Sequence, residues 1–380
     1  METLDPTIKH SFIRDFSLAQ QEVQYGVTSK RSATEDNMWD VWTTYCHHLG
    51  VDPLLSDTPD PVPILQVYAR RLRTGVLSPS KSKIRKRSVE AYLRNVGQTL
   101  QALGSTDPRQ DAHGKTDFRL QRQLASYQKE DPPPLRVKPV PIQVIRRIMH
   151  IANSGNSAHL QATADMIALA FFFLLRPGEY TSTSASSTPF CFQDAQLYIG
   201  SQRLCKNTAN ANQLLSATFV TLEFTTQKNG RKGEVVGLSR SKDPHLCPIL
   251  STARRIIHLR DHQAPPITPL ATYFHRNTPT ELCASDISTA LKRAVTYLGP
   301  SLGFTAKQVS ARSMRASGAM ALYHSKVDAL TIRLIGRWNS DAMMEYLHLQ
   351  SEPAMRGFSE KMVNYGEYHL HPNVLVPQIP

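Results

Sequence analysis

Six residues between positions 176 and 346 have side chains that together could carry out a phosphoryl transfer. In chain order they are Arg176, Lys228, Arg312, Arg315, Trp338 and Tyr346. A guanidinium group stays protonated and can donate to two phosphate oxygens at once. A tyrosine hydroxyl can attack as a nucleophile and form a covalent intermediate. The set therefore indicates a phosphate-transfer site that uses tyrosine.

Each of these residues has an ordinary structural explanation when it is taken alone. Arg176 could form a surface ion pair with Glu179, Lys228 could be a solvated residue beside a turn, and Trp338 or Tyr346 could be core packing. Two arginines at i and i+3 on a helix share a face and usually form a cationic stripe. The order and spacing of the whole set within one basic chain favour the site over coincidence.

The charge of the chain favours a polyanionic partner. The 380 residues include 44 Lys and Arg against 31 Asp and Glu, which gives a formal net charge of +13. Such an excess suits nucleic acid or an acidic membrane surface. The longest apolar run, Met166–Leu175, is too short to span a bilayer. We therefore expect a polyanion such as nucleic acid as the partner, and no membrane.

The cysteines and the N-terminus indicate an intracellular protein. The five cysteines are widely spaced and form no CxxC or Cys/His ligand pattern. Reduced thiols are the expectation for such a pattern, and no metal or other cofactor is indicated. Met1–Asp15 mixes charged and apolar residues and lacks the core of a signal peptide.

The breaks in the sequence predict two domains. Apolar and aromatic positions recur at helical spacing over Ser29–Leu49, and a second helix is expected over Ile64–Thr74 after a proline-rich break. Three consecutive prolines after Asp131 exclude a helix interior and indicate a linker. The predicted division is a flexible arm over residues 1–27, a helical domain over 28–127, a linker over 128–141, a second domain over 142–350 and a C-terminal arm over 351–380.

The first domain contains the most basic stretch of the chain. Glu90 is the only acid among its cations, so one face of the predicted helical module should be strongly positive. The cations that we predict to contact DNA are Arg70, Arg71, Arg73, Lys81, Lys83, Arg85, Lys86 and Arg87. The run from Lys81 to Arg87 also fits a nuclear import signal, and the sequence leaves both explanations open.

The second domain is predicted to be mainly helical with a small antiparallel sheet. Residues 195–199 form a short strand, residues 219–227 alternate apolar and polar side chains, and Asn229-Gly230 predicts a hairpin that returns over residues 233–237. The cations expected at its exposed tip are Lys228, Arg231 and Lys232. The predicted helices are Ile142–Ala152, Ser157–Leu175, Pro248–Leu259, Ala284–Leu298, Ala306–Tyr323, Asp328–Gly336 and Ser340–Leu347.

Three motifs of the second domain resemble the tyrosine recombinase (phage integrase) superfamily. Leu175-Arg176-Pro177-Gly178-Glu179 resembles its first-arginine motif, and Arg312-Ser313-Met314-Arg315 stands where the family has His-x-x-Arg. Gly336-Arg337-Trp338 followed by Tyr346 is similar to its ending. The residues around Trp338 are most similar to the eukaryotic mobile-element branch, the Crypton-type recombinases. The resemblance covers about Ile142 to Leu349, and the first domain resembles the family's DNA core-binding domain in charge and order.

The resemblance implies a fold and a role for each residue. It implies the tyrosine recombinase catalytic fold, and an enzyme that cleaves and rejoins double-stranded DNA, its partner, through a 3′-phosphotyrosine without metal or ATP. Arg176 and Arg315 would bind the phosphate, and Trp338 would donate its indole N–H to it. Lys228 would protonate the departing 5′ oxygen. Tyr346 would be the nucleophile.

The chain departs from the family at two places. Arg312 replaces a histidine that can accept the tyrosine proton, which a guanidinium cannot do because its pKa lies above about 12. His348 is two residues from Tyr346 and so points away from it on a helix. Trp338 precedes Tyr346 by eight residues, where the family commonly shows nine, the position of Arg337. Either residue could be the phosphate ligand, and we favour Trp338.

Three functions remain open from the sequence. The first is an active DNA recombinase, and the second is a domesticated DNA-binding protein that has lost cleavage, as the replacement at Arg312 allows. The third is a basic scaffold protein in which the motifs are coincidental. The resemblance also implies a homo-oligomer, dimer to tetramer on DNA, that exchanges a C-terminal segment. Residues 351–380 could be that segment or a frayed tail, and the nucleus is the expected compartment in a eukaryote.

Overall fold

The chain folds into two compact units, residues 1–134 and 135–380. The computed structural model describes residues 5–26, 29–111, 113–133, 137–183, 187, 189–225, 233–338 and 357–367. Each unit has its own hydrophobic core. The division falls inside the segment predicted as a linker, although the last helix of the first unit continues to Glu130.

The first unit is helical, and aromatic side chains form the centre of its core. Its helices are α1 (Pro6–Tyr25), α2 (Ser29–Leu49), α3 (Val62–Arg73), α4 (Lys86–Ala102) and α5 (Phe118–Glu130). The rings of Trp42 and Tyr68 meet edge to face, with centroids 5.0 Å apart. The Trp42 indole donates to the Pro53 carbonyl at 3.0 Å, and the Tyr45 hydroxyl donates to the Ile64 carbonyl at 3.0 Å. Trp42 and Tyr45 are therefore buried with their polar ends satisfied, whereas the buried Tyr68 hydroxyl has no hydrogen-bond partner among the described residues.

Helix α1 lies where the sequence indicated an arm without regular structure. Its start is marked by Asp5, whose carboxylate accepts the Thr7 backbone N–H at 2.8 Å, and by Pro6 as the first helical residue. Aspartate at the N-cap followed by proline is a strong local start signal. The apolar side chains of α1 remain exposed, so periodicity toward a core gave no sign of the helix.

The second unit is mainly helical with a small antiparallel sheet, which confirms the predicted fold class. Its helices are α6 (Ile142–Ser154), α7 (Ala158–Phe172), α8 (Pro177–Tyr180), α9 (Ala211–Leu215), α10 (Pro248–Asp261), α11 (Ala284–Leu298), α12 (Ser313–His324), α13 (Ala329–Gly336) and α14 (Phe358–Asn364). Its strands are β1 (Ala195–Ile199), β2 (Gln202–Arg203), β3 (Phe219–Phe224), β4 (Glu234–Ser239), β5 (Thr272–His275) and β6 (Thr278–Glu281).

Helix α7 is the centre of the second core. Every residue from Ala162 to Phe172 is buried, and helices α6, α10, α11 and α12 all contact α7. The chain stays buried through Leu175, and Leu174 takes a left-handed conformation with φ 52° that ends the helix. Arg176 therefore follows directly on a segment that close packing fixes in place.

The sheet has the strand order β2-β1-β3-β4, and each neighbouring pair is antiparallel. Strand β3 buries Val220, Leu222 and Phe224, as its alternation predicted. Strands β3 and β4 pair from Phe219 with Ser239 to Phe224 with Glu234. The sequence analysis did not predict the β5–β6 hairpin or the short helix α9.

The helix predicted over Ala306–Tyr323 is interrupted. A short 3₁₀ turn covers Ala306–Gln308, the backbone becomes extended at Val309, and α12 begins at Ser313. The Ser313 hydroxyl accepts the backbone N–H of Ser310 at 3.2 Å, and such local serine bonds compete with helix propagation. The helix predicted over Ser340–Leu347 lies outside the described residues.

Part of the predicted C-terminal arm packs in the second unit. Helix α14 contacts α12 and β4, and its Met362 is fully buried. The backbone N–H of Ile142 donates to the Gly366 carbonyl at 2.6 Å, and Arg146 pairs with Glu367 at 2.8 Å. Residues 357–367 are therefore tied to the start of this unit.

Helices α7 and α12 cross at Gly318, and we expect substitution there to destabilise the second unit. A Cβ on Gly318 would lie 2.1 Å from the Phe171 carbonyl oxygen, a backbone atom that cannot move away. Gly318→Ala should lower the free energy of unfolding by about 1–3 kcal/mol through overpacking, measured by denaturant titration. Gly155→Ala is the control, because its added Cβ would meet nothing closer than 3.5 Å. Equal stability of the two variants would contradict this crossing.

Candidate active site

Arg176 is fixed by the short helix that begins after it. Pro177 is the first residue of α8, and Glu179 folds back to accept the Arg176 backbone N–H with Oε2 at 2.8 Å. The same carboxylate accepts the Arg176 side chain with Oε1, also at 2.8 Å. Two bonds to one carboxylate hold the arginine at this turn.

Arg315 extends from α12 toward the same turn. Its guanidinium donates to the Leu174 carbonyl at 3.1 Å and to the Gly336 carbonyl. It also lies over the ring of Trp338, 4.3 Å from the ring centroid. A partly buried cation on an indole face gains from the ring quadrupole as well as from the carbonyls. Arg315 thus joins the ends of α7, α12 and α13.

Trp338 follows α13, and its ring packs on the backbone of Gly336. A Cβ on Gly336 would lie 1.6 Å from a ring carbon of Trp338, so the close approach requires glycine. The half-buried ring has the Arg315 guanidinium on its face. The structure therefore brings Trp338 and Arg315, two of the predicted site residues, into contact.

Arg337 is buried, in contrast to its neighbour Trp338. Its guanidinium donates to the carbonyls of Phe173 and Ile335 at 3.2 and 3.1 Å. It also donates to Glu179 Oε2 at 3.1 Å and lies 3.7 Å from the centroid of the Phe224 ring. The sequence analysis considered Arg337 only as a second choice for the phosphate ligand and missed these internal contacts.

The grouped guanidinium groups make the site strongly positive. Burial, together with the positive charges of Arg176 and Arg337, lowers the pKa of Arg315 to about 9. Burial also lowers the pKa of Arg337 to about 10, against the effect of Glu179. Like charges in a partly desolvated cluster disfavour one another, so the cluster favours the binding of an anion.

Arg312 lies outside this cluster. It is exposed at the N-terminal end of α12, and its backbone N–H donates to the Ser310 hydroxyl at 3.3 Å. Its side chain takes no part in the hydrogen bonds that link Arg176, Arg315 and Arg337 in the described part of the chain. Arg312 and Arg315, three residues apart on the helix, therefore have different environments. Arg315 extends into the site, and Arg312 is exposed.

Several predicted site residues lie outside the described residues. They are the proposed nucleophile Tyr346, the hairpin cations Lys228, Arg231 and Lys232, and also His348. The strands that flank the hairpin are described, and their last pair is Phe224 with Glu234. Since the Phe224 ring lies against Arg337, the base of this hairpin contacts the arginine cluster.

The basic stretch of the first unit is only partly a surface. The exposed members are Arg70, Lys81, Lys83, Arg85 and Arg87, while Arg71 and Lys86 are half-buried. Lys83 pairs with Glu130 at 3.1 Å, and Lys86 pairs with Glu90 at 2.7 Å. The positive surface of this unit therefore centres on the exposed members.

Arg73 does not belong to that surface, in contrast to the prediction. Its side chain is 5% exposed, it pairs with Asp131, and it donates to the Ile84 carbonyl at 2.8 Å and the Tyr127 carbonyl at 3.2 Å. The cationic run in the sequence gave no sign of this, because Asp131 and Tyr127 are more than fifty residues away. Arg73 joins α3 to the end of α5.

We expect Arg73→Met to destabilise the first unit without a matching loss of DNA contacts. Removing one partner of a buried ion pair typically costs about 3–5 kcal/mol, so the free energy of unfolding should fall by roughly 3 kcal/mol. Denaturant titration measures the change. Arg70→Met, an exposed arginine on the same helix, is the control and should leave stability within about 0.5 kcal/mol. An Arg73 variant as stable as wild type would refute the structural role.

Neither a metal site nor a membrane span is found in the parts of the chain that the structure describes. No group of three or more His, Cys, Asp or Glu there could hold a metal ion. No helix among those residues is long and apolar enough to cross a membrane. The five cysteines are free thiols.

A comparison with solved structures finds similarity at low identity to integrases and a recombinase. The Tn1549 transposon integrase in complex with circular intermediate DNA has 14% identity and a TM-score of 0.43, over 83% of this chain and 96% of that chain. An integrase from mycobacterium phage Brujita has 13% identity and a TM-score of 0.35, over 90% and 89%. The XerH site-specific recombinase bound to its difH substrate has 14% identity and a TM-score of 0.36, over 77% and 76%.

No protein-family model matches the chain, and no curated protein matches it. The similarity to the solved structures does not assign the chain to a family. The function therefore has to be inferred from the side chains of the site.

Proposed function

We propose that this protein is a tyrosine-type DNA strand transferase, a site-specific recombinase or integrase that cuts and rejoins DNA through a 3′-phosphotyrosine. The observation that supports it most is the convergence of Arg176, Arg315 and Trp338 around one positively charged site. These residues are far apart in the sequence. Their side chains nevertheless meet beside the end of α7, where an anion would offset their charge.

The two arginines suit the binding of one phosphate. A guanidinium has five N–H donors in a fixed plane. Arg315 uses donors on two of its nitrogens for the Leu174 and Gly336 carbonyls, and Arg176 uses one nitrogen for Glu179. Their remaining donors have no partner among the described residues, and we propose that they bind the non-bridging oxygens of a phosphodiester. Charge-assisted bonds of this kind stabilise the negative charge that builds up on phosphorus during attack.

The chemical step needs two more residues. The Tyr346 oxygen would attack phosphorus, its proton would pass to water or a base, and the bond from phosphorus to the 5′ oxygen would break. Lys228 would give a proton to that departing oxygen, and the indole N–H of Trp338 would donate to a non-bridging oxygen. The 3′-phosphotyrosine keeps the phosphodiester bond energy, so a 5′ hydroxyl can reverse the step. Neither a metal nor ATP is required by this chemistry.

Arg312 supports a second candidate, a domesticated DNA-binding protein that no longer cleaves. A phenol has a pKa of about 10, and Arg312 cannot remove its proton. Arg312 is exposed, and among the described residues its side chain makes no hydrogen bond to Arg176, Arg315 or Arg337. This candidate keeps the phosphate site and the basic surface of the first unit but lacks the covalent step.

Trapping on DNA separates the two candidates. Duplexes from the ends of the parent element, nicked so that the cut piece diffuses away, should accumulate a covalent protein–DNA adduct on a denaturing gel. An adduct with the wild-type protein rules out the second candidate. Tight binding without an adduct on any end contradicts the proposed enzyme. Arg312→His then tests whether a base at this position restores cleavage.

Binding to DNA should depend strongly on salt under either candidate. If six or more phosphates are neutralised, affinity should fall by about a thousandfold between 50 and 200 mM salt, because bound counterions are released. Fluorescence anisotropy with a labelled duplex measures the slope. Replacing both Arg70 and Arg87 with alanine should remove about two phosphate contacts. The slope of log affinity against log salt concentration should then become shallower by about two. A flat response would contradict a basic DNA-binding surface.

The remaining parts of the proposal concern assembly and origin. We propose that the first unit is the DNA core-binding domain, that copies of the chain assemble as a dimer to tetramer on DNA, and that residues beyond 350 take part in contacts between copies. The amino-acid sequence around Trp338 supports a Crypton-type mobile element as the origin. A eukaryotic protein of this kind would work in the nucleus, with Lys81–Arg87 as the candidate import signal.

A further inference from the structure

Arg337 and Trp338 are neighbours in the sequence, but their side chains have opposite environments. The Arg337 side chain is 2% exposed, whereas the Trp338 ring is half-buried with the Arg315 guanidinium over its face. The separation arises because Arg337 takes a left-handed conformation, with φ 54°. A residue with a Cβ adopts this conformation only at an energetic cost, so the surroundings of Arg337 must hold it there.

Arg337 shares a hydrogen-bond acceptor with each of the two arginines that we propose bind phosphate. Glu179 Oε2 accepts from Arg337 at 3.1 Å and from the Arg176 backbone at 2.8 Å. The Leu174 carbonyl accepts from Arg337 at 3.4 Å and from Arg315 at 3.1 Å. One buried guanidinium is therefore linked to each arginine through a single shared acceptor.

We propose that Arg337 is a positioning residue that fixes Arg176 and Arg315 in the geometry needed to hold one phosphate, and that it is not itself a phosphate ligand. The proposal rests on the proposed function. It follows from where the Arg337 guanidinium lies, with carbonyls and Glu179 around its two terminal nitrogens and the Phe224 ring on its face. The indole N–H of Trp338 is then the donor that reaches the phosphate.

The planar, branched guanidinium of arginine explains why position 337 is an arginine. Arg337 contacts the carbonyls of Phe173, Leu174 and Ile335 and the Glu179 carboxylate at the same time. A planar fork with several nitrogens can span acceptors on different sides, whereas a lysine ammonium is a point charge. Arg337→Lys therefore keeps the charge and removes the fork, which separates positioning from simple electrostatics.

Inorganic phosphate is the probe, because it can occupy the site without DNA or cleavage. A ligand that binds only the folded protein raises the unfolding temperature with its concentration. The full-length protein should be stabilised by added phosphate relative to chloride at equal ionic strength. We expect the apparent phosphate affinity of Arg337→Lys to be lower by about tenfold or more, because misplacing binding groups by an ångström costs up to about a hundredfold in positioned chemistry.

Arg255→Lys is the matched control for loss of a buried arginine. Arg255 is also fully buried in the second unit and donates to two carbonyls, those of Leu270 and Thr272. It makes none of the contacts with Glu179 or Leu174. Both lysine variants should lose stability without phosphate, but Arg255→Lys should keep the wild-type phosphate response. Equal loss of that response in both variants would show that Arg337 has no positioning role of its own.

Combining variants tests whether Arg337 acts through Arg176. If it does, Arg337→Lys should weaken phosphate binding less in an Arg176→Ala background than in the wild type. The reason is that the Arg176 side chain, which Arg337 would position, is absent from that background. Full additivity would instead indicate an independent phosphate ligand and would overturn the proposal. Where Arg337→Lys does not fold, Glu179→Gln replaces it. Loss of a negative charge alone should strengthen phosphate binding, whereas loss of positioning should weaken it, so stronger binding would also refute the proposal.

The outcomes distinguish this inference from the proposed function. A wild-type protein without any phosphate response would remove the phosphate site, and the role of Arg337 with it. A normal wild-type response that Arg337→Lys leaves unchanged would remove only the inference. Where cleavage is observed, Arg337→Lys should lower its single-turnover rate by about 10–100-fold, with DNA affinity close to wild type.

Discussion

Tyr346→Phe is expected to abolish the covalent protein–DNA adduct. The substitution removes only the phenolic oxygen that would attack phosphorus, so no phosphotyrosine bond can form. DNA affinity should stay close to wild type, because the phosphate-binding arginines and the basic surface are retained. The measurement is a denaturing gel with a labelled nicked duplex, together with an anisotropy titration of the same duplex.

A second tyrosine provides the control for this experiment. Tyr323 lies on α12 and is 65% exposed, so Tyr323→Phe removes a hydroxyl from the same unit without touching the cluster. That variant should form the adduct at the wild-type rate. An adduct in Tyr346→Phe would assign the nucleophile to another residue and would contradict the role proposed for Tyr346.

Arg315→Ala should reduce strand cleavage by about a hundred- to a thousandfold. Removing one preorganised donor to developing negative charge costs about this much in enzymes that stabilise oxyanions. Arg315 also ties the ends of α7 and α13 together through the Leu174 and Gly336 carbonyls, so some loss of stability should accompany the effect. Single-turnover cleavage at saturating protein measures the chemical step without the contribution of DNA binding.

Arg276→Ala controls for the loss of one positive charge. Arg276 is exposed at the turn between β5 and β6, and its removal should change cleavage by less than about twofold, because exposed charges are screened. Arg315→Lys should recover only part of the activity, since an ammonium cannot fork onto two oxygens. Full activity in Arg315→Ala would refute the phosphate clamp.

The sequence was sufficient for those elements whose signals are local. Alternating side chains predicted strand β3, and the apolar run before Arg176 predicted a buried helix, because burial and secondary-structure period coincide there. The grouping of Arg176, Arg315 and Trp338 followed from the motif resemblance, and the contacts in the structure bring these three residues together. The roles of Lys228 and Tyr346 remain predictions, because both lie outside the described residues.

The sequence failed where a residue's role depends on distant partners. Arg73 looked like its basic neighbours, but its partner Asp131 lies near the end of the unit, and only the folded structure brings them together. Arg337 looked like a candidate ligand, because no local pattern shows that its backbone turns left-handed and directs the side chain inward. Helix α1 was not predicted for another reason. The prediction relied on core periodicity and did not use the Asp5-Pro6 start signal.

The grouping of like charges beside α7 also bears on how such a gene would change over generations. Three guanidinium groups held near one carboxylate oppose one another whenever no anion is bound. Losing Arg176 would relieve that repulsion, so selection for folding alone would tolerate or reward its replacement. A lineage that had given up DNA breakage would therefore drift first toward a neutral side chain at position 176, and sequencing close relatives of this gene would reveal that change.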